Sequence, residues 1–197
     1  AALDSLMVQR PDLRGRLTFV QIGVPSRSDL RSYAAIEAEI SERIAALNAR
    51  YAVPGGAPVV SYHTTPLGAF SLVALYRIAH FCIVSSLHDG MNLVAKEFVA
   101  ARDDEQGVLV LSALAGAAQE LEDAVIINPY DIDAFASALT RAISMTNEEQ
   151  MALMRAMRKV VAGRNVFNWA SDILEGLESL WTKPLLYSVR GWEETGV

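Results

Sequence analysis

Two carboxylates with seven residues between them, Asp89 and Glu97, bracket the segment Asp89-Gly90-Met91-Asn92-Leu93-Val94-Ala95-Lys96-Glu97. An ionised carboxylate is acceptor-only and can take two neighbouring hydroxyls at once, which suits a sugar or ribose diol. The segment follows the apolar run Phe81-Cys82-Ile83-Val84 and opens a stretch of helical period. The first N–H groups of such a helix, around Met91, Asn92 and Leu93, have no intrahelical partner and face an anion favourably. With the helix opening near Met91, Glu97 lies about 9 Å along it, at 1.5 Å per residue. A nucleotide-sugar has comparable dimensions: ribose diol, diphosphate, hexose. Gly90 is expected to let the chain turn sharply and a ligand come close to the backbone. The same residues also describe a plain strand–loop–helix, with an Asp-Gly turn and a solvated glutamate. Spacing alone leaves both readings open.

These residues need a frame. Short runs rich in β-branched residues read as strands at 17–22, 58–62, 81–85, 108–111 and 124–127. Helical stretches lie between them: Ser28, as N-cap, to about Asn48, then about Gly68–Ala79, Asn92–Arg102, Ala115–Leu121 and Asp131–Met145. Strands apolar throughout are buried on both faces, which implies parallel pairing. Strand and helix alternating five times predicts α/β architecture, a doubly wound parallel sheet of Rossmann-like type, five- or six-stranded. The acidic pair then sits after the third strand, at the carboxyl edge, where open α/β sheets bind ligands. Thr146-Asn147-Glu148-Glu149 is a capping box opening a helix to about Ala162, and a last helix runs from about Asn165 to Leu180, ahead of Pro184. Residues 1–182 read as one domain and 183–197 as a tail that docks on a partner domain.

Composition narrows the classes. A chain 52% hydrophobic and 20% charged can build a core. A net charge of −6 argues against nucleic acid or anionic membrane as partner, and leaves a phosphorylated small ligand open. No run is long and apolar enough to span a bilayer, and the N-terminus lacks a signal-peptide layout, so the expected location is cytoplasmic. No GxGxxG or Walker A pattern supports redox or P-loop chemistry. Cys82, the single cysteine, reads as a buried structural thiol. His63 and His80 read as structural, and Trp169, Trp181 and Trp192 as packing anchors.

An acid-x7-acid element at this place is similar to the donor-site signature of retaining glycosyltransferases built from two Rossmann-like domains. The longer words are more specific. Residues 89–97, Gly107-Val108-Leu109-Val110-Leu111-Ser112, Ala115-Gly116-Ala117-Ala118, Glu120-Leu121, Asn128-Pro129-Tyr130-Asp131, Val20-Gln21-Ile22 and Pro25-Ser26-Arg27 resemble, in order, the trehalose-6-phosphate synthase family over about residues 3–180. The resemblance implies the C-terminal, donor-binding half of a GT-B-type enzyme. Such an enzyme transfers glucose from UDP-glucose to glucose 6-phosphate with retention, without metal or other cofactor. It implies Asp89 as the catalytic-site acid on the donor glucose, and Gly90, Met91, Asn92 and Leu93 around sugar and phosphate. Glu97 then holds the ribose, Arg27 the acceptor phosphate, and Leu67 lies near the base. His88 stands where the family usually has arginine.

In that family a second, N-terminal Rossmann-like domain supplies the acceptor pocket, and an Arg/Lys word neutralises the diphosphate; both would precede residue 1. The expectations are that these residues alone bind donor without transferring it, and that the chain forms a homo-oligomer. A non-catalytic nucleotide-sugar-binding or regulatory module, or half of a pseudo-glycosyltransferase, is the alternative, favoured by His88 and the loose match from Tyr62 to Phe70.

Overall fold

The computed structural model describes residues 1–24, 31–164 and 166–182. Arg27, the Ser28 cap, Pro184, Trp192 and the 183–197 tail lie outside the described residues. In chain order the elements are α1 (Ala2–Gln9), a 3-10 turn (Pro11–Leu13), β1 (Phe19–Ile22), α2 (Arg31–Arg50), β2 (Val60–His63), α3 (Ala69–Ile78), β3 (Phe81–Val84), α4 (Leu93–Ala101), β4 (Val108–Ser112), a second 3-10 turn (Gly116–Gln119), β5 (Val125–Ile127), α5 (Ile132–Ser144), α6 (Asn147–Gly163) and α7 (Val166–Thr182). All five expected strands are present within two residues of their expected starts.

Among the described residues every strand pair is parallel. β1 pairs β2 with Phe19 opposite Val60; β3 pairs β4 with Phe81 opposite Val108; β4 pairs β5 with Val110 opposite Val125. The expected single sheet of five or six strands is, by hydrogen bonding, a two-stranded ladder β1-β2 and a three-stranded ladder β3-β4-β5. Side-chain burial carries the continuity instead. One core cluster holds Val60 of β2 with Val108, Val110, Val125 and Ile127 of the other ladder.

β4 is the axis of the double winding. All five of its residues are buried, as a parallel strand covered on both faces should be. Alternate side chains of a strand point to opposite faces. Val108 and Val110 accordingly enter the core that includes Leu6 and Met7 of α1 and Leu139 of α5. Leu109 and Leu111 enter a second core with Phe98 and Val99 of α4 and Met154 and Met157 of α6.

Two helices depart from expectation. α1 was not anticipated: its N-cap is Ala1, with no side-chain capping bond, so no start signal marks it, although Leu6 and Met7 are fully buried. The Ala115–Leu121 helix is only a 3-10 turn over Gly116–Gln119. Its opening amides are drawn elsewhere, Gly116 N–H to the Asp89 carbonyl at 2.9 Å and Ala117 N–H to the Met91 carbonyl at 2.7 Å. The capping box of α6 forms as read: Glu149 N–H donates to Thr146 Oγ1 at 3.2 Å, and Thr146 N–H to Glu149 Oε2 at 2.8 Å.

Candidate functional site

The loop from Ser85 to Asn92 leaves the carboxyl end of β3 and feeds α4. It is stitched to the next strand's exit. Asp89 N–H donates to the Leu114 carbonyl at 3.3 Å, and Asp89 forms a parallel bridge with Ala115. Below, Ser112 Oγ donates to the Ser86 carbonyl at 2.7 Å and accepts from Leu114 N–H at 3.1 Å. The backbone of the loop is thus tied to the exit of β4 by hydrogen bonds.

Asp89 is held at both oxygens. Oδ1 accepts from Met91 N–H at 3.1 Å, and Oδ2 from Asn92 Nδ2 at 2.9 Å. These bonds, the Asn92 amide first and the Met91 N–H second, keep the carboxyl below its ordinary value, with a small further contribution from His88. The Asn92 Oδ1 accepts from Ala95 N–H at 2.9 Å, so one side chain both orients Asp89 and caps α4. Asn92 does this from a left-handed backbone, φ 73°, a conformation in which asparagine is enriched.

The geometry revises three local expectations. The left-handed position is Asn92, not Gly90, whose φ is not positive. A Cβ on Gly90 would meet nothing within 4 Å, so what Gly90 contributes is open space above the loop. α4 begins at Leu93 rather than near Met91. Met91 N–H is engaged with Asp89, and the helix-opening amides beyond the cap are those of Leu93 and Val94. Glu97 therefore lies four residues into the helix, about 6 Å from its start, one turn along the same face as Leu93.

Gly116 is required by the loop. A Cβ there would sit 2.1 Å from the Gly90 carbonyl oxygen and 2.8 Å from its carbon. The small residues after β4 thus let the second 3-10 turn dock on the Asp89 loop, and its first amides are spent on that loop. Gly116 stands in the small-residue word Ala115-Gly116-Ala117-Ala118, and its close approach is to the Gly90 carbonyl; Tyr76 and Lys96 are the site's neighbours that the sequence does not mark. Tyr76 Oη donates to Glu97 Oε2 at 3.2 Å. Lys96 Nζ donates to Glu120 at 2.9 and 3.0 Å, tying α4 to the turn after β4. Nothing in the spacing of these residues marks them, because each partner is remote in sequence.

The structure brings Asp89, Gly90, Met91, Asn92 and Leu93 together in one loop and helix mouth, with Glu97 exposed on α4. Leu67 lies in the connection from β2 to α3, exposed. Cys82 packs against the second core, and burial pushes its thiol up to about 12, as expected of a structural cysteine. His63 Nε2 pairs with Ser61 Oγ at 2.9 Å. Among the described residues no helix is long and apolar enough to cross a membrane.

The glycosyltransferase family 20 profile matches residues 1–179. The chain belongs to glycosyltransferase family 20. It is 39% identical over 179 residues to a bifunctional trehalose-6-phosphate synthase/phosphatase of Thermoproteus tenax, which covers 91% of this chain and 24% of that protein. An alpha,alpha-trehalose-phosphate synthase (UDP-forming) from Burkholderia xenovorans, solved in complex with glucose-6-phosphate, superposes with a TM-score of 0.85 at 40% identity, over 90% of this chain and 39% of that one. An E. coli trehalose-6-phosphate structure bound with UDP-2-fluoro glucose superposes with a TM-score of 0.85 at 35% identity, over 90% and 39%. The chain thus spans about a quarter to two fifths of the length of these family 20 proteins. Its α/β fold is a single Rossmann-like domain of the GT-B type.

Proposed function

We propose that these residues form the donor-binding domain of a retaining glucosyltransferase that moves glucose from UDP-glucose to glucose 6-phosphate, giving trehalose 6-phosphate. The observation that carries the reading is the loop of Asp89. Its carboxylate is pre-oriented by Met91 N–H and Asn92 at the carboxyl edge of a parallel ladder, beside an α-helix mouth and an open space over Gly90. Family 20 membership supplies the chemistry. Asp89 accepts hydroxyls of the donor glucose, the amides of Leu93 and Val94 face the diphosphate, and Glu97 takes the ribose diol. Arg27 is assigned to the acceptor phosphate. Base preference follows from the 62–70 segment, with Leu67 near the uracil.

In this reading the protein provides no nucleophile. The acceptor hydroxyl attacks on the face from which the diphosphate leaves, and charge stabilisation of that leaving group lowers the barrier. The reading includes no metal, a second Rossmann-like domain as partner, a cytoplasmic setting, and neither nucleic acid nor membrane as partner. The 197 residues alone bind UDP at about 0.1–1 mM, weak because one wall of the cleft is contributed elsewhere. They also self-associate, and they do not turn over.

Calorimetry with UDP tests the binding half of this claim: Glu97→Ala must weaken the interaction, and equal affinities refute the ribose assignment. A coupled assay for released UDP, run with and without glucose 6-phosphate and with chelator, tests the rest. Acceptor-dependent release by these 197 residues overturns the claim that the partner domain is indispensable, and loss of full-enzyme activity on chelation overturns metal independence.

A further inference from the structure

We propose that Tyr76 is a positioning residue for the ribose, acting through Glu97; the proposal rests on the donor-domain reading above. Glu97 is exposed, and an exposed glutamate samples many rotamers that binding must freeze at an entropic cost. Among the described residues its hydrogen-bond partner is the Tyr76 hydroxyl, donating to Oε2 at 3.2 Å. The neighbouring cation, Lys96, is turned to Glu120 and does not neutralise it. The carboxylate is thus aimed by a hydroxyl donor and is not paired with the neighbouring lysine.

The tyrosine itself is built in. It is 8% exposed, and its ring stands edge-on to Phe98, with centroids 6.1 Å apart and an interplanar angle of 77°. Phe98 is fully buried. The Tyr76 carbonyl accepts from Arg102 at 3.1 Å, a buried guanidinium that also binds the Ala79 carbonyl and so closes the C-terminal turn of α3. Burial first, and the Glu97 charge second, push the phenol well above its ordinary value. At neutral pH the phenol is protonated and its hydroxyl is available to donate. One donated bond occupies one lone pair of Oε2, leaving the second oxygen and the remaining lone pair for two vicinal hydroxyls. Tyr76 also couples α3, which follows the 62–70 segment assigned to the base, to α4, which carries the ribose acid.

Tyr76→Phe keeps the ring and its packing and removes only the hydroxyl. Calorimetry or NMR titration on the 197-residue chain compares UDP with 2′,3′-dideoxy-UDP. The expected result is about three- to tenfold weaker UDP binding, the effect of one net hydrogen bond, with dideoxy-UDP binding unchanged. In a Glu97→Ala background the Tyr76→Phe change should have no further effect on UDP. Equal weakening of both nucleotides makes Tyr76 merely structural and overturns the proposal. Unchanged UDP binding in Tyr76→Phe, with Glu97→Ala weakened, overturns the positioning role and leaves the donor reading standing. Unchanged binding in Glu97→Ala itself overturns both.

Discussion

α4 and α7 look alike on paper: each is a helix with apolar residues recurring at helical spacing, α4 in the middle of the Rossmann-like unit and α7 at its end. In the structure they have opposite fates. In α4, Ala95, Phe98 and Val99 are wholly buried among α3, α6 and the β3–β4 ladder, and its polar face presents Glu97 and Lys96. In α7, Leu174, Leu177 and Leu180 are exposed, and Trp181 is 92% exposed. Periodicity tells that a helix has an apolar face; it does not tell what covers that face. For α4 the cover is in the same domain and the face fixes the site. For α7 it is not among the described residues.

The largest effect should come from the covered face. Phe98→Ala removes a fully buried ring that also backs Tyr76, and should cost about 3–5 kcal/mol in chemical denaturation. A cost below about 1 kcal/mol would mean that the second core is not packed as described.

Next is the contact that holds the loop. Gly116→Ala puts a methyl against the Gly90 carbonyl oxygen, a backbone atom that cannot swing away. Relieving that overlap should cost about 1–3 kcal/mol. It should also release the amides of Gly116 and Ala117 to faster hydrogen exchange and weaken UDP binding. Unchanged exchange at Ala117 would show that the turn does not depend on this approach.

Smaller again is the loss of Asn92. Asn92→Ala removes a cap, about 1 kcal/mol, and places a Cβ-bearing residue without asparagine's preference at φ 73°. Asn92→Gly relieves the backbone but still loses the cap and the hold on Asp89. Asp89 is lowered in the folded state, so its contribution to stability is present above the unfolded value of 3.8 and is lost as pH falls through the folded value. Both variants should move the Asp89 carboxyl up toward 3.8, read by carboxyl-detected NMR titration; an unmoved titration would put the hold elsewhere.

The comparison also sorts what was legible in the sequence. β4 and its neighbours were readable because runs such as Val108-Leu109-Val110-Leu111 are apolar at every position, which only a doubly covered parallel strand needs. The Asp89 loop and Glu97 were readable because they are contiguous and belong to a long family word. α1 was not, since Ala1 gives no cap signal, and neither was the left-handed backbone at Asn92, since the Asp-Gly pair beside it is the more familiar turn signal. Tyr76 and the clash at Gly116 are contacts between remote segments, and no local pattern encodes them. Arg27, the assigned acceptor contact, lies outside the described residues.

The smallest stability effect belongs to α7, and it is the sharpest test of the contrast. Leu177 is 57% exposed and Leu180 70% exposed, so truncating them to serine removes little surface that is buried within these residues. A surface substitution of that kind typically changes stability by no more than about 0.5 kcal/mol. Serine is also a weaker helix former than leucine, which accounts for part of even that small change. The effect should appear in association instead. A row of exposed leucines ending in Trp181 is a face that seeks cover, and self-association is the available route at high concentration. Leu177→Ser with Leu180→Ser should leave the denaturation midpoint nearly unchanged while raising the monomer fraction in light scattering at high concentration. If the pair instead costs 2 kcal/mol or more, the face is already covered within the 197 residues, and α4 and α7 are packed alike after all.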